Sequence, residues 1–254
     1  MSTPVIIAAR NEAEQIGYTL DSLSKQAAGA EPVVIVNGST DNTPDIAREA
    51  GAIVLESEEG KMPAIQTGLR YLGKRALDPL LVLDADSHPF SKNWTRRMTN
   101  EMQSLPEEQS AIVWAPYIFN GEINPALGAF FSATSMQVSW VDRNKEHPRT
   151  IRGGNTGLFM KEYELLESML SLPNYWPRQD VATFDTMMKH DSTHKVVFHP
   201  EAWILTSGYR INNTLKRIIK ERRHPSKVTD GSYANEAPAG SQPYHSKTTE
   251  TVKH

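Results

Sequence analysis

The chain has 254 residues, of which 39% are hydrophobic and 22% charged, and its net charge is −3. That length gives one large α/β domain or two small ones with a real core, and the balance of charge does not announce a nucleic-acid or membrane partner. Cysteine is absent, which excludes disulfides, thiolate metal sites and cysteine nucleophiles and is compatible with a reducing compartment.

Pro4 to Ala9 reads as a first buried strand, ending in Arg10-Asn11-Glu12. Asn11 with Glu14 has capping-box spacing, and Ile16, Leu20 and Leu23 then recur at helical intervals to about Gln26. A second strand covers Pro32 to Val36, and Asn37-Gly38-Ser39-Thr40-Asp41 is a turn. Thr43-Pro44 starts a helix that Gly51 is placed to end. Ala52 to Leu55 is a third strand, and Gly60-Lys61 precedes a helix carrying Ile65, Leu69 and Leu72.

The chain is organised around the stretch Leu80-Leu81-Val82-Leu83-Asp84-Ala85-Asp86. An aliphatic run of this kind reads as a strand buried on both faces of a parallel sheet. Alternate residues of an extended chain point the same way, so Asp84 and Asp86 can converge on one object in the crevice at the strand's carboxyl end. Two hard carboxylates there suit a divalent cation such as Mg²⁺ or Mn²⁺ shared with a diphosphate. The plainer alternative is that Asp-x-Asp only stops a strand and starts a turn.

Beyond it, Ser91 caps a helix with Trp94, Met98 and Met102 on one side, and Ala111 to Ala115 is a strand. Pro125 to Val141 looks helical, and its aromatic stripe (Phe130, Phe131, Trp140) reads as core or as an acceptor platform. A basic loop runs from Asp142 to Arg149, and Gly153-Gly154-Asn155-Thr156-Gly157 reads as a turn leading into a strand at Leu158 to Met160. A helix covers about Lys161 to Leu170, followed by an aromatic, acid-terminated loop, Asn174 to Asp180. Val196 to Phe198 and Trp203 to Leu205 are short strands, and Ile211, Leu215, Ile218 and Ile219 form a helical stripe with a cationic opposite face. Strand–helix alternation with short connections predicts a parallel, doubly wound sheet. From Pro225 to His254 apolar residues are scarce, which reads as a disordered tail. The chain enters a strand without a basic region and a long apolar run, and no stretch approaches membrane-spanning length. A cytoplasmic protein without a transmembrane segment is therefore expected.

Taken in order, these motifs resemble family 2 glycosyltransferases over about residues 3 to 210: Val5 to Glu12, Val36 to Thr43, Gly60-Lys61, Asp84-Ala85-Asp86, Gly153 to Gly157, and an acidic position near Asp180. The resemblance implies an α/β fold with a mostly parallel twisted sheet and helices on both faces, the Rossmann-like GT-A architecture of nucleotide-diphospho-sugar transferases. It implies a glycosyltransferase domain over 1–210, with a nucleotide-binding half (1–115) and an acceptor-binding half (116–210). A C-terminal helix over 211–224 and the 225–254 tail would complete the chain. The implied activity is metal-dependent transfer of a sugar, with inversion, from a UDP- or GDP-linked donor to an acceptor. By the resemblance, Ala8, Arg10 and Glu12 line the nucleotide pocket, Asn37 and Ser39 sit near base and ribose, and Lys61 approaches the nucleotide. Asp84 lies near ribose and sugar, and Asp86, with Asp84, holds Mn²⁺ or Mg²⁺ on the diphosphate. A general base must take the acceptor's proton; Asp180 is the candidate and Asp185 its rival. Gly154, Asn155 and Trp176 are expected on the acceptor side, and Arg210 on the diphosphate or simply at the surface.

The chain departs from the family pattern at three places. Gln179 stands where relatives have the glutamate of a Glu-Asp pair, Val36-Asn37 replaces an acidic pair, and Leu205-Thr206-Ser207 lacks a metal-ligating histidine. Two other readings stay open. One is a sugar-nucleotide-forming nucleotidyltransferase, which the lack of a glycine-rich basic loop after the first strand argues against. The other is a non-catalytic nucleotide-binding module. The basic loop and the last helix also leave room for a phosphate-bearing or nucleic-acid acceptor.

Overall fold

A computed structural model describes residues 2–104, 109–120, 126–130, 132–133, 154–172 and 195–207. The first half is strand–helix alternation: β1 (Thr3–Ala9), α1 (Ile16–Ser24), β2 (Ala30–Val36), α2 (Thr43–Glu49), β3 (Ile53–Glu56) and α3 (Lys61–Leu72). A 3-10 turn (Gly73–Leu77) then leads into β4 (Leu80–Asp84) and β5 (Ser87–Pro89). The remaining elements are α4 (Trp94–Gln103), β6 (Ala111–Trp114), β7 (Tyr117–Asn120), β8 (Asn155–Phe159), α5 (Tyr163–Leu170), β9 (Lys195–Phe198) and β10 (Ile204–Ser207).

Seven strands form the main sheet in the order β3-β2-β1-β4-β8-β6-β9. β8 alone runs against its neighbours β4 and β6, and the other pairings are parallel. A second sheet, β5-β10-β7, joins the segment after β4 to the end of the described chain.

Side-chain alternation divides the core into two layers. On one face Val5, Ile7, Leu81 and Leu83 pack with Ile16, Leu20 and Leu23 of α1 and Trp94, Met98 and Met102 of α4. On the other, Ile6, Val33, Ile35, Leu80 and Val82 pack with Ile65, Leu69 and Leu72 of α3 and Leu165, Leu166 and Met169 of α5. Near-continuous aliphatic strands are required by this burial on both sides.

Four sequence expectations are corrected. Asn11 does not cap α1. It sits at φ 52° and accepts a hydrogen bond from the Thr40 N–H (2.8 Å), while its own N–H donates to Ser39 Oγ (3.0 Å). The helix begins at Ile16 after Gln15, which makes no side-chain cap bond; bonding to the neighbouring loop has displaced the local cap. The glycine-rich segment is not all turn: of its described residues only Gly154 lies in the turn. Asn155, Thr156 and Gly157 are themselves β8, because β4 and β6 pair with them from both sides. The chain does not stay extended through Asp-x-Asp: it turns at Ala85 and Asp86. Finally, Phe130 is 63% exposed and Leu127 is exposed too, so the described part of the aromatic helix is not core.

Candidate active site at the carboxyl end of the sheet

The parity of each strand determines what reaches the crevice. Asp84 follows Leu80 and Val82 onto the α3 side, and Asn37 follows Val33 and Ile35. Lys61 opens α3 on that same side. A cation at a helix start opposes the helix dipole, so an anion beside it is expected. That anion is Asp84: Lys61 Nζ donates to Asp84 Oδ1, and each side chain is only about a quarter exposed (25% and 24%).

The other carboxylate oxygen of Asp84 lies over Gly154. A Cβ at that position would overlap Oδ2 and would come within 2.8 Å of the Tyr117 hydroxyl. The backbone completes the arrangement. The Asp84 N–H donates to the Gly154 carbonyl (3.2 Å), and the Gly154 N–H donates to the Tyr117 hydroxyl (2.9 Å). Gly154 is thus the floor against which Asp84 rests.

Asp86 sits in a turn secured on both sides. Thr19 Oγ1 donates to the Ala85 carbonyl (2.8 Å), and the Ser207 N–H donates to the Asp86 carbonyl (3.1 Å). Ser87 Oγ lies 2.8 Å from Thr206 Oγ1 and 3.4 Å from Asp86 Oδ1. Asp86 is 8% exposed. His88 lies close enough to feel its charge: burial lowers the imidazole pKa from its usual value, and Asp86 pulls it the other way. Among the described residues no three acids or histidines cluster as a closed metal cage. Two carboxylates do suit a hard cation that completes its shell with phosphate oxygens and water.

On the nucleotide side, Asn37 is buried. Its Nδ2 donates to the Gly60 carbonyl (3.3 Å), while its Oδ1 meets no donor among the described residues. Arg10 is ion-paired with Glu59, in the loop that leads to α3. Ala8 is half-buried between β2 and β4. The Glu12 N–H donates to Thr43 Oγ1 (2.8 Å), and Ser39 Oγ accepts from Asn11, so the loops after β1 and β2 are knitted together. Asp41 anchors this region. Desolvation raises its pKa, but hydrogen bonds from the Thr43 hydroxyl and N–H and the Ala13 N–H outweigh that, and the carboxyl sits below its usual value.

Asn155, expected at the acceptor, is fully buried and internally bonded. Its Oδ1 accepts from Trp94 Nε1 (3.0 Å), and its Nδ2 donates to the carbonyls of Pro116 (3.2 Å) and Ala202 (3.0 Å). The structure places it in the fabric of the sheet. Asp180, Asp185, Trp176 and Arg210 lie outside the described residues, as do the 211–224 helix and the 225–254 tail. Sequence reasoning missed Glu59, Tyr117 and His88. Only Glu59 carried a signal, as an acid two residues before Lys61.

The family model for glycosyl transferase family 2 matches residues 5–158. Among characterised proteins, a 4,4'-diaponeurosporenoate glycosyltransferase of Staphylococcus aureus is 28% identical over 138 residues, 52% of this chain and 36% of its own length. The chain thus spans about a third of the length of the curated relatives it matches. A mannosyltransferase of Pyrobaculum calidifontis, solved with GDP-Man and Mn²⁺, superposes with a TM-score of 0.57 at 20% identity, covering 80% of this chain and 56% of that one. Glucosyl-3-phosphoglycerate synthase of Mycobacterium tuberculosis, solved with Mn²⁺, UDP and phosphoglyceric acid, gives 0.56 at 16% identity, covering 91% of this chain and 80% of that one. These likenesses establish the fold. No described helix is long and apolar enough to cross a membrane.

Proposed function

The chain belongs to glycosyl transferase family 2 and shares the α/β fold of these solved transferases, and on that premise we propose that it transfers a sugar from a UDP- or GDP-linked donor to an acceptor. The observation that carries this reading is the pairing of Asp84 with Lys61 at the end of β4, beside the buried Asn37 and the turn that holds Asp86. The carboxyl end of a parallel strand is where an open α/β sheet binds its ligand, and this pair offers a cation for phosphate oxygens and an acceptor for hydroxyls.

Each residue has a task set by its chemistry. The Asn37 carbonyl, which meets no donor among the described residues, accepts from a base that carries a ring N–H, as uracil and guanine do. Arg10 and Lys61 supply positive charge for a diphosphate. Asp84, braced by Gly154, accepts from a ribose or sugar hydroxyl. Asp86, with Asp84, would hold Mn²⁺ or Mg²⁺. When bound, the cation neutralises charge that grows on the departing diphosphate. Inverting attack then needs a base at the acceptor oxygen, and the resemblance assigns it to Asp180, with Asp185 as rival. The segments 122–152 and 174–179 shape the acceptor site in this reading, because crevice loops carry specificity.

A donor screen tests it. Nucleotide sugars ranked by thermal shift should single out one UDP- or GDP-linked compound. The chain should then release its nucleoside diphosphate slowly in the presence of Mn²⁺ or Mg²⁺, and faster with the true acceptor. Binding without any release, with every acceptor class tried, would mark a binding module instead.

A further inference from the structure

We infer that Glu59-Gly60-Lys61 is a latch that gives both site cations internal counter-ions and so makes capture of a divalent cation conditional on the nucleotide. The inference rests on the donor reading above.

This one tripeptide reaches the carboxyl ends of three strands. Glu59 pairs with Arg10 at the end of β1. The Gly60 carbonyl accepts from Asn37 at the end of β2. Lys61 pairs with Asp84, the last residue of β4. Gly60 itself has φ 124° and ψ 151°, a conformation essentially reserved for glycine. It lets the two oppositely charged residues that flank it reach in different directions, each to its own partner.

The consequence is electrostatic. Lys61 holds the position beside Asp84 Oδ1 from which a metal ion would draw one of its ligands. A free divalent cation must displace a lysine that is already desolvated against its carboxylate, and it brings nothing to take the lysine over. A nucleoside diphosphate does bring that. Its oxygens give Lys61 and Arg10 new anionic partners at the head of α3, where the helix dipole already favours an anion. Lysine suits such an exchange, because its ammonium is a point charge on a flexible stem and can be re-aimed. Glu59 and Asp84 are released together, and Asp84 becomes available to the incoming cation. Metal and nucleotide therefore enter as a pair, and each strengthens the other by the same factor.

Mn²⁺ binding, followed by the electron paramagnetic resonance of the free ion, tests this without turnover. Wild type, Lys61→Met and Lys61→Arg are compared with and without UDP or GDP. Lys61→Met should bind Mn²⁺ alone at least about fivefold more tightly than wild type, the lower bound set by removing a unit charge about 4 Å from a cation at the full screening of bulk water. Lys61→Arg should behave like wild type, because it keeps the charge. If Lys61→Met binds free Mn²⁺ no better than wild type while a nucleotide still recruits the ion to wild type, the latch is wrong and the donor reading stands. If no form of the protein takes up Mn²⁺ with either nucleotide, both fall.

Discussion

Replacing Gly154 by alanine is expected to lower donor turnover about a hundredfold or more, the cost of displacing a reacting-site group by about an ångström. The added methyl would overlap the carboxylate of Asp84 and crowd the Tyr117 hydroxyl at 2.8 Å. Neither neighbour can yield cheaply. Turning Asp84 aside breaks its pair with Lys61. Moving the backbone instead breaks the Asp84 N–H to Gly154 carbonyl bond and the Gly154 N–H to Tyr117 bond. The stability cost should be the modest one of overpacking, about 1–3 kcal/mol, so a thermal scan should still show a cooperative fold. The effect must also be non-additive. In an Asp84→Ala background the carboxylate is gone and only the tight Tyr117 contact remains, so Gly154→Ala should then change turnover little further. Undiminished kcat/KM in the single variant would show that the floor under Asp84 is not required.

Asn155→Ala should act on stability instead. One buried amide serves α4 through Trp94, the β6–β7 connection through Pro116 and the β9–β10 connection through Ala202. Truncation strands the buried Trp94 indole N–H and the Ala202 carbonyl, while the Pro116 carbonyl keeps the hydrogen bond from the Ile204 N–H. An unsatisfied buried group costs about 1–3 kcal/mol, and partial hydration recovers some of it, so a loss of about 2–4 kcal/mol is expected for the two. Urea midpoints at unchanged slope would measure it. A loss under about 1 kcal/mol would mean that the three segments are held together by other contacts.

The range of the forces involved decides how much of the fold was legible in the sequence. β1, β2, β3 and β4 are aliphatic runs bounded by turn residues, and α1, α3 and α4 carry regular apolar stripes, so composition and period located them. β5 was not legible, because Ser87-His88-Pro89 is polar and proline-bearing and is a strand only through its pairing with β10, far away in sequence. β7 differs: Tyr117, Ile118 and Phe119 favour a strand, and only its partner β10, far away in sequence, was out of sight. The glycine-rich β8 has poor strand propensity, and its two neighbours override it. At the site, the order of motifs pointed to Lys61 and Asp84, and the unfavourable helix position of Lys61 anticipated an anion nearby. The details that set their geometry were invisible, because each depends on contacts between distant segments: Gly154 under Asp84, Tyr117 behind Gly154, and Glu59 against Arg10. Asn155 shows the opposite error, a polar residue in a glycine-rich motif that reads as functional and is structural in its bonding.

The acidic turn at the end of β4 is the centre of the account, and calorimetric titration of UDP and GDP with and without Mn²⁺ tests it most directly. Wild type should bind one of them at least about tenfold more tightly with the ion than with a chelator, a gain of about 1.4 kcal/mol. Asp86→Asn should bind the same nucleotide weakly and equally under both conditions. A variant that keeps the whole Mn²⁺-dependent gain would contradict the role given to Asp86 and, with it, the cation on the diphosphate.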